Sequence, residues 1–334
     1  MKDIGAEHSI FNGRKLLLNS KASTNSDFGC PPEERAVREY IRYGMINLDK
    51  PAGPTSHEVV SWVKNIMGLK KAGHGGTLDP RVTGVLPIGL EESTKIVQAL
   101  LPATKEYVCI MRLHGDTPEK RLKEVFKEFT GEILQRPPVK SAVKRQLRTK
   151  VIHHLKLLEV QDRDVLFTVK CEAGTYIRKL CHDVGEVLGC GAHMLELRRT
   201  KSGPFKEESL VTLHDVLDAY RFWKDNGRED LLKRVIVPVE SALGDTPLLA
   251  VRDSAVDALC HGADLAVPGI SKLDADIDEG DMVGILTLKG EIIALGEAKM
   301  STKDILLENS GIAVKTKRVI MKPGIYPKMW TSNE

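Results

Sequence analysis

Residues 73–84 read GHGGTLDPRVTG, and in this segment four glycines and one proline surround a single acidic residue, Asp79. Glycine and proline both disfavour a helix interior, so the segment is predicted to be a loop. Glycine also adopts positive φ and allows a ligand or another backbone to approach closely. Such a loop can hold Asp79 forward into a cleft. The alternative is an ordinary turn in which Asp79 caps a helix.

The segments around this loop mix strand and helix patterns. A strand pattern over 43–51 ends in a Pro/Gly turn, and Thr55 or Ser56 can cap a helix whose apolar residues recur over 59–67. Such an irregular mixture predicts an α+β fold, a mixed sheet flanked by helices, and not a doubly wound parallel sheet. Further helices are predicted at 91–101, 120–130, 176–189 and 212–223, and strands at 106–114, 155–161 and 165–172, the last two forming a hairpin.

The chain is predicted to have three regions. Residues 1–40 are polar and irregular, which is typical of an extension that wraps on the surface or frays. Residues 41–247 carry the mixed strand and helix patterns. Beyond a Gly/Asp/Pro stretch at 243–247, short strand-like runs are separated by glycines, which predicts a small β-barrel domain over 248–330.

Composition narrows the class of protein. The 334 residues include 49 basic and 46 acidic side chains, so the net charge of +3 carries little information. No apolar run is long enough for a transmembrane helix, and Leu16–Leu18 is too short for a signal-peptide core. The six cysteines form no Cys-x-x-Cys pair and have no zinc-site spacing, so we expect reduced thiols and no metal. We expect a cytoplasmic protein.

Four motifs in this order resemble a known family. They are Asp49-Lys-Pro-Ala-Gly-Pro-Thr-Ser56, the loop 73–84, Lys105-Glu-Tyr107 and Gly174-Thr-Tyr-Ile-Arg178. Together they closely resemble the uridine-isomerising enzymes that include bacterial tRNA pseudouridine-55 synthase and eukaryotic dyskerin, over about residues 40 to 330. The resemblance implies a pseudouridine synthase catalytic domain. The segment 261–270 resembles the start of a PUA domain, a small RNA-binding β-barrel.

The resemblance implies a reaction in which the uracil N1–C1′ bond breaks, the base turns and C5 joins C1′. Asp79 matches the family's catalytic aspartate, which acts as a nucleophile or a base at the sugar; the choice between an ester adduct and a glycal stays open. Arg178 matches the arginine that keeps this carboxylate ionised, and otherwise is a surface arginine. Tyr107 matches the tyrosine that stacks on the target base, and otherwise is a core aromatic residue. No step requires a cofactor.

Four further residues match positions around the family's substrate. Lys50 matches a basic residue that lines the cleft, although a solvated strand end is the simpler interpretation. Tyr176 and Leu197 match pocket-wall positions, and Leu197 also suits an ordinary core. His74 matches a position near the flipped nucleotide, and we expect it to contact RNA without acting as an acid or base.

Basic segments are the predicted RNA-binding surfaces. Residues 136–150 contain six basic residues and no acidic one, and they resemble the family's mobile thumb loop; the alternative is a solvated basic loop. Residues 197–205 are predicted to form a second basic turn, and basic residues between 315 and 328 form a third patch. The side chains predicted to contact RNA are Lys140, Lys144, Arg145, Arg148, Arg198 and Arg199.

The resemblance is closest to the archaeal and eukaryotic branch, the catalytic subunit of the H/ACA ribonucleoprotein. It implies a guide RNA, rRNA or tRNA substrates and three small partner proteins. A lysine-rich C-terminal tail is absent, which favours a prokaryote-like cell over a nucleolus. The alternatives are a stand-alone synthase for tRNA uridine 55, a non-catalytic RNA-binding scaffold and, less favoured, a glycosidase, which usually needs a second positioned carboxylate.

Overall fold

The computed structural model describes residues 9–11, 13–136 and 146–328. No helix within these ranges combines the length and hydropathy that crossing a bilayer requires. Seventeen strands lie in the described part of the chain, and they form two sheets. The strands are β1 (Leu16–Leu18), β2 (Gly44–Lys50), β3 (Ala72–His74), β4 (Thr83–Leu90), β5 (Lys105–Leu113), β6 (Gly131–Gln135), β7 (Arg148–Gln161), β8 (Asp164–Cys171), β9 (Ala192–Ser202), β10 (Phe205–Lys206), β11 (Val237–Pro238), β12 (Leu248–Val251), β13 (Leu265–Ala266), β14 (Ile270–Asp274), β15 (Met282–Thr287), β16 (Ile292–Ala298) and β17 (Ile312–Val319).

The α-helices are amphipathic and pack on the sheets. The helix α2 begins with a capping box in which Thr55 and Glu58 satisfy each other's backbone amides. Of the two predicted caps, Thr55 and Ser56, Thr55 is the one that caps the helix. The described α-helices are α1 (Val37–Arg42), α2 (Ser56–Ile66), α3 (Val97–Leu100), α4 (Glu119–Glu128), α5 (Ile177–Leu188), α6 (Leu213–Asn226), α7 (Glu229–Val235), α8 (Asp253–Cys260) and α9 (Thr302–Leu307).

The larger sheet has ten strands in the order β11-β2-β4-β9-β5-β8-β7-β6, with β3 paired to β4 and β10 to β9. The β4–β9 pair is parallel, and the other strand pairs of this sheet are antiparallel. Helices α2 and α6 share one apolar core with β2 and β4, while α4 and α5 share another with β5 and β8. This arrangement confirms the predicted α+β class and the predicted hairpin, which is β7–β8.

The smaller sheet has seven strands in the order β1-β14-β12-β15-β16-β17-β13 around its own apolar core. Strand β1 comes from the N-terminal extension and pairs antiparallel with β14. The described part of the extension therefore wraps on the molecule, and it adds an edge strand that the sequence did not predict. We propose a domain boundary near residue 247. Strands β2 to β11 of the larger sheet precede this residue, and strands β12 to β17 of the smaller sheet follow it.

An apolar core and a buried ion pair join the two sheets. Met45 and Val85 of the larger sheet lie in one cluster with Leu248 and Leu286 of the smaller sheet. Beside this cluster the extension's Arg35 donates two hydrogen bonds to Glu240, at 2.7 and 3.0 Å, and the Ile292 amide donates to the same carboxylate at 2.9 Å. Arg35 is 6% and Glu240 2% exposed.

Breaking this pair is expected to be costly. Arg35→Met leaves the Glu240 carboxylate buried without its cation, so the free energy of unfolding should fall by about 3–5 kcal/mol. Urea unfolding measures this loss. Arg42→Met is the matched control, because it removes an exposed pair with Glu39 and should cost less than about 1 kcal/mol. Equal, small losses for both variants would contradict the prediction.

Three segments differ from the predicted elements. The predicted helix 91–101 is a 3-10 helix, Glu91–Lys95, followed by the single turn α3. The predicted basic turn 197–205 is mostly strand, because β9 continues to Ser202 and β10 begins at Phe205. Strand β4 was not predicted, since it is buried along nearly its whole length and contains Pro87, which makes the pattern unlike an alternating strand.

Candidate active site

The loop between β3 and β4 carries Asp79 and is held at several points. The Ser56 hydroxyl donates to the Leu78 carbonyl at 3.1 Å and accepts from the Leu78 amide at 2.9 Å. The Gly53 amide donates to the Pro80 carbonyl at 2.9 Å. These contacts fasten the loop to the segment between β2 and α2, so the Asp79 backbone has a fixed position.

Lys50 is hydrogen-bonded to the backbone of this loop. Its side chain is fully buried, and its ammonium group donates to the carbonyls of Pro51, Pro80 and Val82 at 2.9, 2.9 and 3.0 Å. Burial lowers the pKa of Lys50. The interpretation of Lys50 as a solvated strand end is therefore wrong. Its predicted contact with substrate is also corrected, because backbone carbonyls use all three of its donors; Lys50 positions the Asp79 loop instead.

Asp79 and Arg178 form an ion pair through the arginine Nη2 and the carboxylate Oδ2. Arg178 is the second residue of α5, so the helix brings it to the loop from a position 99 residues away in sequence. The two side chains are 54% and 53% exposed, and both therefore remain accessible to a ligand. The pairing predicted from sequence is present.

The pair lies on a cleft of about 660 Å³ between the loop, α5 and strands β5 and β9. Tyr107, Tyr176 and Leu197 line the same cleft. Their side chains are partly buried, which suits walls that contact a ligand. Asp79, Arg178, Tyr107 and Tyr176 come from three of the four motifs and Leu197 from β9, and the fold brings all five to one cavity.

Arg199 lies behind Tyr107. The two residues are directly opposite each other in the β5–β9 pair. Arg199 is 1% exposed, its Nε donates to the Val85 carbonyl at 2.7 Å and its Nη2 to the Gly76 carbonyl at 3.1 Å. Burial raises the pKa of the Tyr107 phenol, and the charge of Arg199 opposes that rise. The prediction that Arg199 binds RNA on the surface is wrong, because its side chain points into the protein.

The neighbouring Arg198 points to the other face of β9. It forms salt bridges with Asp49 at 3.0 Å and with Glu207 at 2.5 Å. Two carboxylates already neutralise its charge, so the described structure gives little support to its predicted phosphate contact. Arg148, at the start of β7, is exposed and stays a predicted RNA contact. The predicted contacts Lys140, Lys144 and Arg145 lie outside the described residues.

Lys105 is a site residue that the sequence analysis quoted within a motif but did not single out. It lines the cleft yet is only 5% exposed, and its ammonium group donates to the carbonyls of Leu100, Leu101 and Ala103 at 2.9, 2.9 and 2.6 Å. Burial, followed by the positive charge of Arg199, lowers its pKa to about 8. Its position two residues before Tyr107, on the same face of a strand, was the available indication.

His74 lies in β3, beside the loop, with its ring centroid 4.9 Å from that of His57. Burial, followed by the positive charges of His57 and Arg199, lowers its pKa to about 4. The neutral ring suits a hydrogen-bonding role better than that of a cation. Its contact with RNA stays a prediction.

This lowered pKa makes stability depend on pH. Between about pH 4 and pH 6.5 the unfolded chain protonates this histidine and the folded chain does not, so the free energy of unfolding should fall as pH drops through that window. His74→Asn should show a shallower loss in urea unfolding between pH 6.5 and 4.5. His153→Asn, which removes an exposed histidine of β7, is the control. Identical slopes in the wild type and His74→Asn would contradict the lowered pKa.

Nothing in the described ranges groups three or more His, Cys, Asp or Glu side chains in a way that suits a metal ion. The cysteines are free thiols, and those of Cys109 and Cys181 lie 3.7 Å apart in the apolar core that β5 and α5 share. Besides the buried cations Lys105 and Arg199, the cleft offers a carboxylate, a guanidinium and a phenol beside an apolar wall.

Family models match almost the whole chain. The TruB family pseudouridylate synthase N-terminal domain matches residues 64–177, and the tRNA pseudouridylate synthase B C-terminal domain matches residues 178–244. The chain belongs to the TruB family of pseudouridylate synthases. A PUA domain matches residues 247–320 of this TruB-family synthase, and a DKCLD domain matches residues 7–60. The predicted family, enzyme class and fold, including the PUA domain, are confirmed.

Known relatives of the TruB-family synthase agree with this assignment. A protein of Methanopyrus kandleri named "Probable tRNA pseudouridine synthase B" is 62% identical over 95% of this chain and 94% of its own length. A protein of the same name from Pyrococcus furiosus is 57% identical over 96% and 94%. A crystal structure of a Cbf5-Nop10-Gar1 complex contains a chain that matches with a TM-score of 0.90 and 56% identity, covering 96% of this chain and 98% of that one. A chain from an H/ACA RNP bound to a substrate RNA containing 2′-deoxyuridine matches with a TM-score of 0.89 and 54% identity, over 96% and 99%.

Proposed function

We propose that this synthase isomerises uridine in RNA with Asp79 as the reacting carboxylate. The observation that carries the proposal is the Asp79–Arg178 ion pair on the open cleft that Tyr107 also lines. A paired base must leave the stack before its sugar can reach such a carboxylate, at a cost of a few kcal/mol. A cleft of about 660 Å³ has room for one extruded nucleotide.

Each side chain has a task in this reaction. Asp79 attacks C1′ or removes the proton at C2′, and the N1–C1′ bond breaks with its electron pair on the base. Arg178 favours the charged carboxylate when the base displaces water from it. Tyr107 stacks on the uracil and holds it while C5 turns towards C1′. The new C5–C1′ bond forms as the Asp79–C1′ ester bond breaks or, on the glycal route, as a proton returns to C2′. The C5 proton is then lost and N1 gains a proton. Tyr176 and Leu197 form the walls that keep the base in place.

We propose further that the chain works as the catalytic subunit of an archaeal-type H/ACA ribonucleoprotein. The support is its similarity to chains from a Cbf5-Nop10-Gar1 complex and from an H/ACA RNP bound to substrate RNA. On this proposal a guide RNA selects the uridine, small partner proteins complete the particle, and the PUA domain holds the guide. The proposed targets are guided uridines of rRNA, uridine 55 of tRNA, or both, in the cytoplasm of an archaeal cell.

Tritium release from RNA that carries 5-tritiated uridine tests the catalytic proposal. Isomerisation replaces the C5 hydrogen by the bond to C1′, so one tritium should be released for each pseudouridine formed. The alternative is a non-catalytic RNA-binding scaffold. Release that stays at background while the RNA is bound would support the scaffold and contradict catalysis.

Assays on tRNA and on a guided target separate the two modes of action. The purified chain is supplied with tRNA alone, and then with a guide RNA, its target and the partner proteins. The H/ACA proposal predicts that conversion of the guided target depends on a guide that pairs with it. Conversion of that target at the same rate without the guide would contradict it.

A further inference from the structure

The floor of the cleft holds two buried cations. Lys105 and Arg199 both line the cleft, at 5% and 1% exposure. Within the described ranges neither side chain has a carboxylate within salt-bridge distance. Their hydrogen-bond acceptors there are backbone carbonyls and, for Arg199, the Tyr107 hydroxyl. A buried charge without a counter-ion is costly, so two such cations side by side indicate a site that an anion completes.

Gly76 lies against these two cations on the side of the loop. A Cβ at this position would lie 3.5 Å from Nη1 of Arg199 and 3.9 Å from Cε of Lys105. Its backbone also has a φ of +134°, which other residues rarely adopt. Nη1 is the guanidinium nitrogen that donates to neither Val85 nor Gly76, and Arg199 also interacts with the Tyr107 hydroxyl. The positive charge therefore lies at the edge of the ring on which the base stacks.

The reaction creates an anion at this place. When the N1–C1′ bond breaks, the electron pair stays on the uracil, whose charge spreads over N1, O2 and O4, while Asp79 supplies electrons to the sugar or takes the C2′ proton. We propose that Lys105 and Arg199 stabilise the detached uracil anion through the floor of the cleft and, by fixing Tyr107, hold it for its rotation. This inference rests on the proposed function of Asp79. Arg199 acts through Tyr107, so it is a positioning residue.

The test compares two substrates that differ in how well the base carries a negative charge. Fluorine at C5 withdraws electrons and stabilises the uracil anion without help from the protein. The full chain, with its guide RNA and partner proteins, is mixed in excess with RNA that has uridine or 5-fluorouridine at the target position. Nuclease digests then give the single-turnover rate at which the original nucleoside disappears. Both rates come from one preparation, so their ratio is independent of the fraction of active protein.

Replacing Arg199 or Lys105 with a neutral residue should lower the single-turnover rate of uridine more than that of 5-fluorouridine. For Arg199→Gln we expect the uridine rate to fall about 100-fold and the 5-fluorouridine rate about tenfold, with RNA affinity nearly unchanged. Arg199→Lys keeps the charge and should keep the wild-type ratio. Lys105→Gln should shift the ratio in the same direction as Arg199→Gln, and it carries the test if that variant does not fold. Arg112→Gln, an exposed arginine on β5 paired with Asp164, is the control and should change neither rate.

Equal losses on both substrates in Arg199→Gln and in Lys105→Gln would overturn the proposal, because that result indicates structural support alone. A failure of the proposed function looks different. In that case Asp79→Asn would still convert both substrates, or the wild type would convert neither.

Discussion

Replacing Asp79 with asparagine is expected to lower the single-turnover rate by at least about 10⁴-fold, as the loss of an attacking side chain does in other enzymes. The amide has nearly the same shape, but it carries no charge and neither attacks C1′ nor accepts a proton efficiently. The side chain is 54% exposed and its salt-bridge partner is Arg178, so the fold should tolerate the change. RNA affinity should stay within about threefold of the wild type, because phosphate contacts supply most of it.

The measurement separates chemistry from binding. Filter binding gives the RNA affinity, and a quenched time course gives the rate of pseudouridine formation at saturating enzyme. Asp164→Asn is the matched control, because Asp164 is also a partly exposed aspartate paired with an arginine, Arg112, but lies outside the cleft. A rate for Asp79→Asn within tenfold of the wild type would contradict a reacting carboxylate.

The second large effect is expected at Arg178. In Arg178→Met the Asp79 carboxylate has lost its cation. It must then stay ionised without a partner while the base fills the cleft. We expect kcat to fall by about 10²–10³-fold, the range seen when one charged or polar stabilising contact is removed from an active site. Arg178→Lys restores the charge as a point without the planar geometry, and should recover part of the loss.

Single-turnover rates of the two Arg178 variants provide the test, and Arg121→Met, an exposed arginine on α4, is the control. Recovery by lysine distinguishes an electrostatic role from a packing role. Wild-type turnover in Arg178→Met would remove the ion pair from the mechanism. Equal losses for the lysine and methionine variants would show that charge is not what Arg178 contributes.

Local patterns were sufficient to predict the elements that frame the cleft. Thr55 and Ser56 were both candidate caps, and the glycine-rich segment 73–84 does not suit a helix, so the α2 start and the Asp79 loop followed from nearby residues alone. The pairing of Asp79 with Arg178 spans 99 residues, and the motifs that resemble the family predicted it.

The burial of the cations could not be predicted in the same way. Charged side chains such as those of Lys50, Lys105 and Arg199 are expected on the surface, because a buried cation is rare unless it is paired with an acidic group. Each is held by two or three carbonyls. Those around Lys105 lie within five residues of it in sequence, but two of the three around Lys50 and both around Arg199 belong to distant segments that meet only in the folded chain. Arg198 and Arg199 illustrate the difficulty, because adjacent residues of β9 point to opposite faces and the sequence does not say which one points inward.

A structure of the Asp79→Asn variant bound to a substrate RNA measures the central geometry directly. The account predicts an extruded uridine in the cleft, its base stacked on Tyr107, and C1′ or C2′ within about 3.5 Å of the side chain at position 79, the distance at which reacting atoms meet. A uridine bound with its sugar turned away from this side chain, and with another acidic group beside C1′, would contradict it.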